Sequence, residues 1–101
     1  MAKQCMTQRE IKRRKMVEKY KTKRTSLIEI INDSKATNEQ KMEARRKLQA
    51  LPRNASPVRL RNRCSQTGRP RGVNSKFGIA RGKLRDLIMH GEVPGVIKAS
   101  W

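Results

Sequence analysis

Ten arginines and three lysines fall between Ala44 and Arg85, and no Asp or Glu falls among them. The arginines are Arg45, Arg46, Arg53, Arg59, Arg61, Arg63, Arg69, Arg71, Arg81 and Arg85; the lysines are Lys47, Lys76 and Lys83. The chemistry open to such a set is phosphate binding. A guanidinium is planar, donates bidentately to phosphate oxygens and stacks on bases. Like charges this dense repel one another, so a compact state is disfavoured in water alone. A polyanion removes that cost and releases its own condensed counterions.

Catalysis is a poor match to the same residues. Cys64 sits between basic neighbours, Arg61 and Arg63 on one side, which can lower a thiol pKa. A nucleophile still needs a positioned base. The basic block holds no carboxylate and no histidine, and the chain's single histidine, His90, lies beyond it. No enzyme activity and no small-molecule substrate are expected.

The whole chain repeats the message of the block. Its formal net charge is +18 over 101 residues, with a pI near 11.4. That is the electrostatic footprint of a nucleic-acid binder. Leu, Ile, Val and Phe together number 19, under a fifth of the chain. Such poverty with high net charge is the composition of disorder. Local helices with little shared core, shaped against a large anionic partner, reconcile this with the helix signals below. No apolar run approaches the roughly 18 residues of a membrane span. Met1-Ala2-Lys3-Gln4 carries no apolar signal region, so secretion is not expected. Cys5 and Cys64 read as reduced thiols.

The elements that must position these residues are mainly α-helical. Residues 7–31 read as a first helix, with Met16, Tyr20, Leu27 and Ile31 near one stripe. Between Arg9 and Arg24, nine of sixteen residues are basic and two acidic. Asn32, Asp33 and Ser34 mark a turn. Thr37 and Gln40 have capping-box spacing at the start of a second helix, which Pro52 stops. Leu27, Ile28 and Ile31 are expected to pack on Met42, Leu48 and Leu51 as a helical hairpin. From Pro52 to Gly78 no period is sustained, and an extended Arg-rich loop is expected. There Arg59, Arg61 and Arg63 alternate, as do Arg69 and Arg71, which places each set on one side of an extended chain. Ala80 to His90 reads as a short third helix with Leu84, Leu87 and Ile88 inward, capped by Gly91. The chain thus divides into a basic hairpin, 1–51, and a loop plus C-terminal helix, 52–101, forming a single structural unit with its partner.

Several of these residues carry a family resemblance. Leu51-Pro52-Arg53, Arg61-Asn62-Arg63-Cys64, Thr67-Gly68-Arg69-Pro70, Lys76-Phe77-Gly78-Ile79, Pro94-Gly95 and Ala99-Ser100-Trp101 resemble the bacterial type of small-subunit ribosomal protein fourteen. Arg63-Cys64, Phe77, Ile79, Arg81 and Arg85 satisfy the family pattern; Ala80 departs from it, where Ser or Cys is usual. The opening Met-Ala-Lys and the basic first helix also match. The resemblance implies a structural protein in the head of the small ribosomal subunit that binds small-subunit rRNA around the tRNA sites. It implies contact with ribosomal proteins three, ten and nineteen of that subunit, and a place on a cytoplasmic or organellar ribosome. The RNA contacts are assigned to Arg53, Arg59, Arg61, Arg63, Arg69, Arg71, Lys76, Arg81, Lys83 and Arg85.

Short members of this family carry C-x2-C, about twelve residues, then C-x2-C, a structural zinc signature. The corresponding positions here are Cys64, Thr67, Ala80 and Lys83. One thiolate remains, and a lysine stands where a ligand belongs. No metal or other cofactor is expected; packing among Cys64, Phe77, Ile79 and Leu84 is expected in its place. The competing reading is a DNA-binding hook, since Gly68-Arg69-Pro70-Arg71-Gly72 resembles a core that enters the narrow minor groove of A·T-rich duplex.

Overall fold

The computed structural model describes residues 2–100 and is mainly helical. Met1 and Trp101, the latter closing the Ala99-Ser100-Trp101 motif, lie outside the described residues. Helix α1 spans Gln4–Asn32 and α2 spans Asn38–Ala50. Two short 3-10 turns follow, Arg53–Ala55 and Pro57–Arg59. Strands β1, Val73–Asn74, and β2, Ile79–Ala80, pair antiparallel with Val73 opposite Ala80. Helix α3 is Arg81–Met89. The chain forms two compact units, Gln8–Leu60 and Met1–Thr7 with Arg61–Trp101.

In the Gln8–Leu60 unit, α1 runs longer than its thin apolar stripe. Within α1 the Thr25 and Ser26 hydroxyls bond back to the carbonyls of Lys21 and Lys23, each at 2.8 Å, which satisfies them inside the helix. The Asp33 carboxylate accepts from the Lys35 N–H at 2.9 Å and turns the chain. The capping box is formed: Thr37 Oγ1 accepts from the Gln40 N–H, and Gln40 Oε1 accepts from the Thr37 N–H. Leu27 and Ala44 are the buried residues of the two helices on the hairpin side, and they line one groove. Two members of the expected hairpin seam lie elsewhere. Met42 is 64% exposed, because two residues along a helix from Ala44 is the opposite face. Ile28 is turned from Leu27 and lines a second groove with Ala55, Pro57 and Leu60.

In the other unit, Cys64 and Ala80 are buried, and Phe77, Ile79 and Leu84 are half-buried. Gly78, at φ +67°, closes the β-hairpin by donating its N–H to the Asn74 carbonyl at 2.7 Å. The Arg81 N–H donates to the Gly72 carbonyl at 2.8 Å, joining α3 to the strand pair. Gly91, at φ +73°, ends α3: its N–H reaches Ile88 and the Glu92 N–H reaches Leu87. Among the described residues the buried hydrophobics are Leu27, Ala44, Ala55, Cys64 and Ala80, mostly small. Neither unit therefore holds a large apolar core.

The stretch between Pro52 and Gly78 is irregular overall, yet it contains both 3-10 turns and β1. Pro52 and Pro57 pre-set the backbone where each turn begins. Pieces of two or three residues carry no hydrophobic period, so no periodicity announces them.

Candidate nucleic-acid interface

The chain reverses at Cys64–Gly68. The Gly68 N–H donates to the Cys64 carbonyl at 2.9 Å, and the Cys64 N–H donates to the Arg69 carbonyl at 3.0 Å. Gly68 is needed there: its φ is +74°, and a Cβ would sit 3.0 Å from both Ala2 Cβ and Thr7 Oγ1. The Ala2 N–H also donates to the Thr67 carbonyl at 3.2 Å, so Ala2 lies against this turn.

Two arginines brace the reversal. Arg61 Nε donates to the Pro70 carbonyl at 3.1 Å, and Arg63 Nη1 donates to the Gly68 carbonyl at 3.0 Å. Residues two apart on one segment reach carbonyls two apart on the other, as alternation in extended chain requires. Arg59 does not join them. It ends the second 3-10 turn and donates from Nη1 to Asn54 Oδ1 at 2.8 Å, because Pro57 starts a turn where the alternation assumed a strand. Arg63 is half-buried, with its Nε shielded from solvent, while Arg61 keeps an exposed side chain.

The braces present other cations outward. Arg69 and Arg71 are exposed on the far limb of the turn. Arg69 and Lys83 line one concavity of about 400 Å³ with Thr67, Pro70 and Ala80. Arg81 lies over Gly72, where a Cβ would come within 3.4 Å of its Cδ. Lys76 is exposed in the hairpin turn, its Nζ 5.7 Å from the Phe77 ring centre. Lys83 and Arg85 are exposed on α3. Arg53 is exposed on the first 3-10 turn and belongs, with Arg59, to the helical unit. The remaining eight of the ten expected contact residues belong to the unit around Cys64. The sequence places Arg61 and Arg63 by alternation among the RNA contacts, and no pattern in it signals these carbonyl bonds.

Hydrogen bonds hold the buried Cys64. It is 3% exposed, and the Thr67 N–H donates to its sulfur at 3.4 Å. Burial is the largest single influence and raises its pKa. The Thr67 side chain and the backbone N–H groups of Ala80, Thr67 and Gln66 together outweigh burial, and hold the thiol at about 6 rather than 9.0. The zinc positions remain close in space: Thr67, Ala80 and Lys83 share the concavity, and Cys64 contacts two of them. One thiolate, a hydroxyl, a methyl and an ammonium cannot build a tetrahedral zinc site. No cluster of three or more His, Cys, Asp or Glu exists among the described residues.

The family model described as ribosomal protein S14p/S29e matches residues 47–100, more than half of the chain. This chain belongs to the ribosomal protein S14p/S29e family. That makes it a structural protein of the small ribosomal subunit. The matched span takes in the end of α2, the Cys64 reversal, the β-hairpin and α3. All ten expected contact residues fall inside it.

Proposed function

We propose that this member of the family binds small-subunit rRNA in the head of the subunit, and helps order it around the tRNA sites. The observation that carries the reading is the acid-free arginine surface between Arg61 and Arg85, built on a reversal whose carbonyls are occupied by Arg61 and Arg63. The braces fix the backbone that carries Arg69 and Arg71, so less backbone entropy is lost when phosphate binds. Structured RNA is recognised through its shape, phosphates and 2′-hydroxyls, and arginine planes stack on unpaired bases.

The chain fits the zinc-free, long bacterial type of the family, on the grounds of Thr67, Ala80 and Lys83 at the metal positions and the basic hairpin ahead of the matched span. Ribosomal proteins three, ten and nineteen are its expected neighbours, on a cytoplasmic or organellar ribosome. The DNA-hook reading loses its footing in the turn geometry. A minor-groove hook lies extended, whereas the Arg69 carbonyl is bonded back to the Cys64 N–H.

The test is retention on the small subunit through a high-salt wash, joined to competition binding at matched salt. Folded small-subunit rRNA should displace the bound chain well below the concentration at which A·T-rich duplex DNA does. Equal competition by the duplex overturns the reading.

A further inference from the structure

The helical unit holds a groove of about 660 Å³ between α1 and the end of α2. Such volumes fall in the range of roughly 300–1,000 Å³ typical of small-ligand sites. Its walls are Tyr20, Lys23 and Leu27 on α1, and Lys47, Leu51 and Pro52 at the end of α2. Tyr20 is the single tyrosine of the chain and is half-buried. Lys19 Nζ lies over its ring at 5.6 Å from the centre. Lys23 and Lys47 are exposed, and no carboxylate is among the described residues that line the groove. Glu43 reaches Lys47 from outside at 2.8 Å, but both side chains are more than 60% exposed. A pair so solvated is easily exchanged for a phosphate.

We propose that this groove holds one unstacked nucleotide of the bound RNA, its base on the Tyr20 ring and its phosphate on Lys23 and Lys47. The proposal rests on the rRNA reading and adds a second contact, away from the arginine turn. A flat π-face, an apolar shelf from Leu27 to Pro52 and ammoniums at the rim answer the three parts of a nucleotide. Sequence-tolerant single-strand binders combine stacking aromatics with cations in this way. An acidic peptide is the competing occupant. It would gain charge contact from the lysines, but nothing from a ring face over a leucine of similar bulk.

The full chain is titrated with folded small-subunit rRNA, and Tyr20 nitration is followed in the free and bound states. A single tyrosine makes the readout unambiguous. rRNA should protect Tyr20. Tyr20→Phe should keep wild-type affinity, and Tyr20→Leu should weaken it on the order of tenfold, the scale of one lost base stack. Helicity by circular dichroism checks each variant. If Tyr20→Leu loses helicity, Lys23→Gln decides instead, since an exposed lysine does not hold the fold; binding several-fold weaker is expected. Unchanged nitration on rRNA binding, unchanged affinity of the deciding variant, or protection by a poly-glutamate peptide but not by rRNA overturns the proposal. Absence of salt-resistant rRNA binding by the wild-type chain is a different result, and fails the rRNA reading itself.

Discussion

The Thr67 N–H points at the sulfur of Cys64 from 3.4 Å. In a zinc knuckle the same kind of N–H would face a metal-bound thiolate. Here such donors stabilise the sulfur's negative charge, which is why the thiol sits at about 6 despite its burial.

Stability should therefore depend on pH through Cys64. The folded pKa lies below the unfolded value of 9.0, so the unfolded chain binds more protons between about 6 and 9.0. The thiolate's contribution is fully present above 9.0 and is lost as pH falls through about 6. Urea unfolding of the free chain should show a midpoint that climbs across this window. Cys64→Ala should remove that climb while leaving the slopes of other titrating groups in place. Parallel curves for both proteins would show that the sulfur is not ionised in the fold.

Cys64, Thr67, Ala80 and Lys83 lie close together, so cysteines at all four positions should take up zinc. The triple variant Thr67→Cys, Ala80→Cys, Lys83→Cys rebuilds C-x2-C and C-x2-C on the same turn and helix start. Elemental analysis should find one zinc per chain in the variant and none in the parent. A zinc-free variant would show that the Cys64 turn no longer has the spacing of the ligated form.

Helices were the legible part of the fold. Thr37, Gln40 and Pro52 bound α2, and Gly91 marks the end of α3, because caps and stops are local chemistry. The hairpin seam was half legible: Leu27 is buried and Ile31, Leu48 and Leu51 are half-buried, but the weak patterning of so charged a chain did not separate Ile28 and Met42 from them. For the candidate site, the sequence carries composition but no geometry. An arginine that braces a carbonyl and one that stays exposed look alike in the sequence until the Cys64 reversal brings Arg63 to Gly68.

Two glycines with positive φ should respond differently to alanine. At Gly78 a Cβ meets nothing within 4 Å, so Gly78→Ala should cost only the left-handed backbone term, about 1–2 kcal/mol. At Gly68 the same term is joined by contacts of 3.0 Å with Ala2 and Thr7. Gly68→Ala should be the more destabilising in urea unfolding, and should reduce incorporation into the subunit more. Equal losses would mean the N-terminal residues yield freely.

The capping box should account for measurable helix stability. Thr37→Ala removes the acceptor for the Gln40 N–H, at a typical cost of about 1 kcal/mol. In a unit with so little buried apolar surface, this should appear as lower helicity of the free chain. Thr37→Ser should retain it.

The arginine turn should outweigh the basic helix in RNA binding. Arg69 and Arg71 are exposed on a limb fixed by Arg61 and Arg63, and no acid lies between Ala44 and Arg85 to compete for them. Lys12 and Lys15 are also exposed, but Glu10 and Glu18 share their helix, and their long side chains meet phosphate as mobile cations. Each lost phosphate contact should lower the slope of log affinity against log salt by roughly 0.7–0.9. Arg69→Ala and Arg71→Ala should show that loss, with weaker incorporation into the subunit. Lys12→Ala and Lys15→Ala should show a smaller one. Arg63→Ala should differ from both: it removes a brace, so affinity should fall by more than one phosphate contact explains, and the Cys64 turn should lose protection from hydrogen exchange. Equal losses at Arg69, Arg71, Lys12 and Lys15 would mean that bulk charge, not the braced turn, holds the RNA.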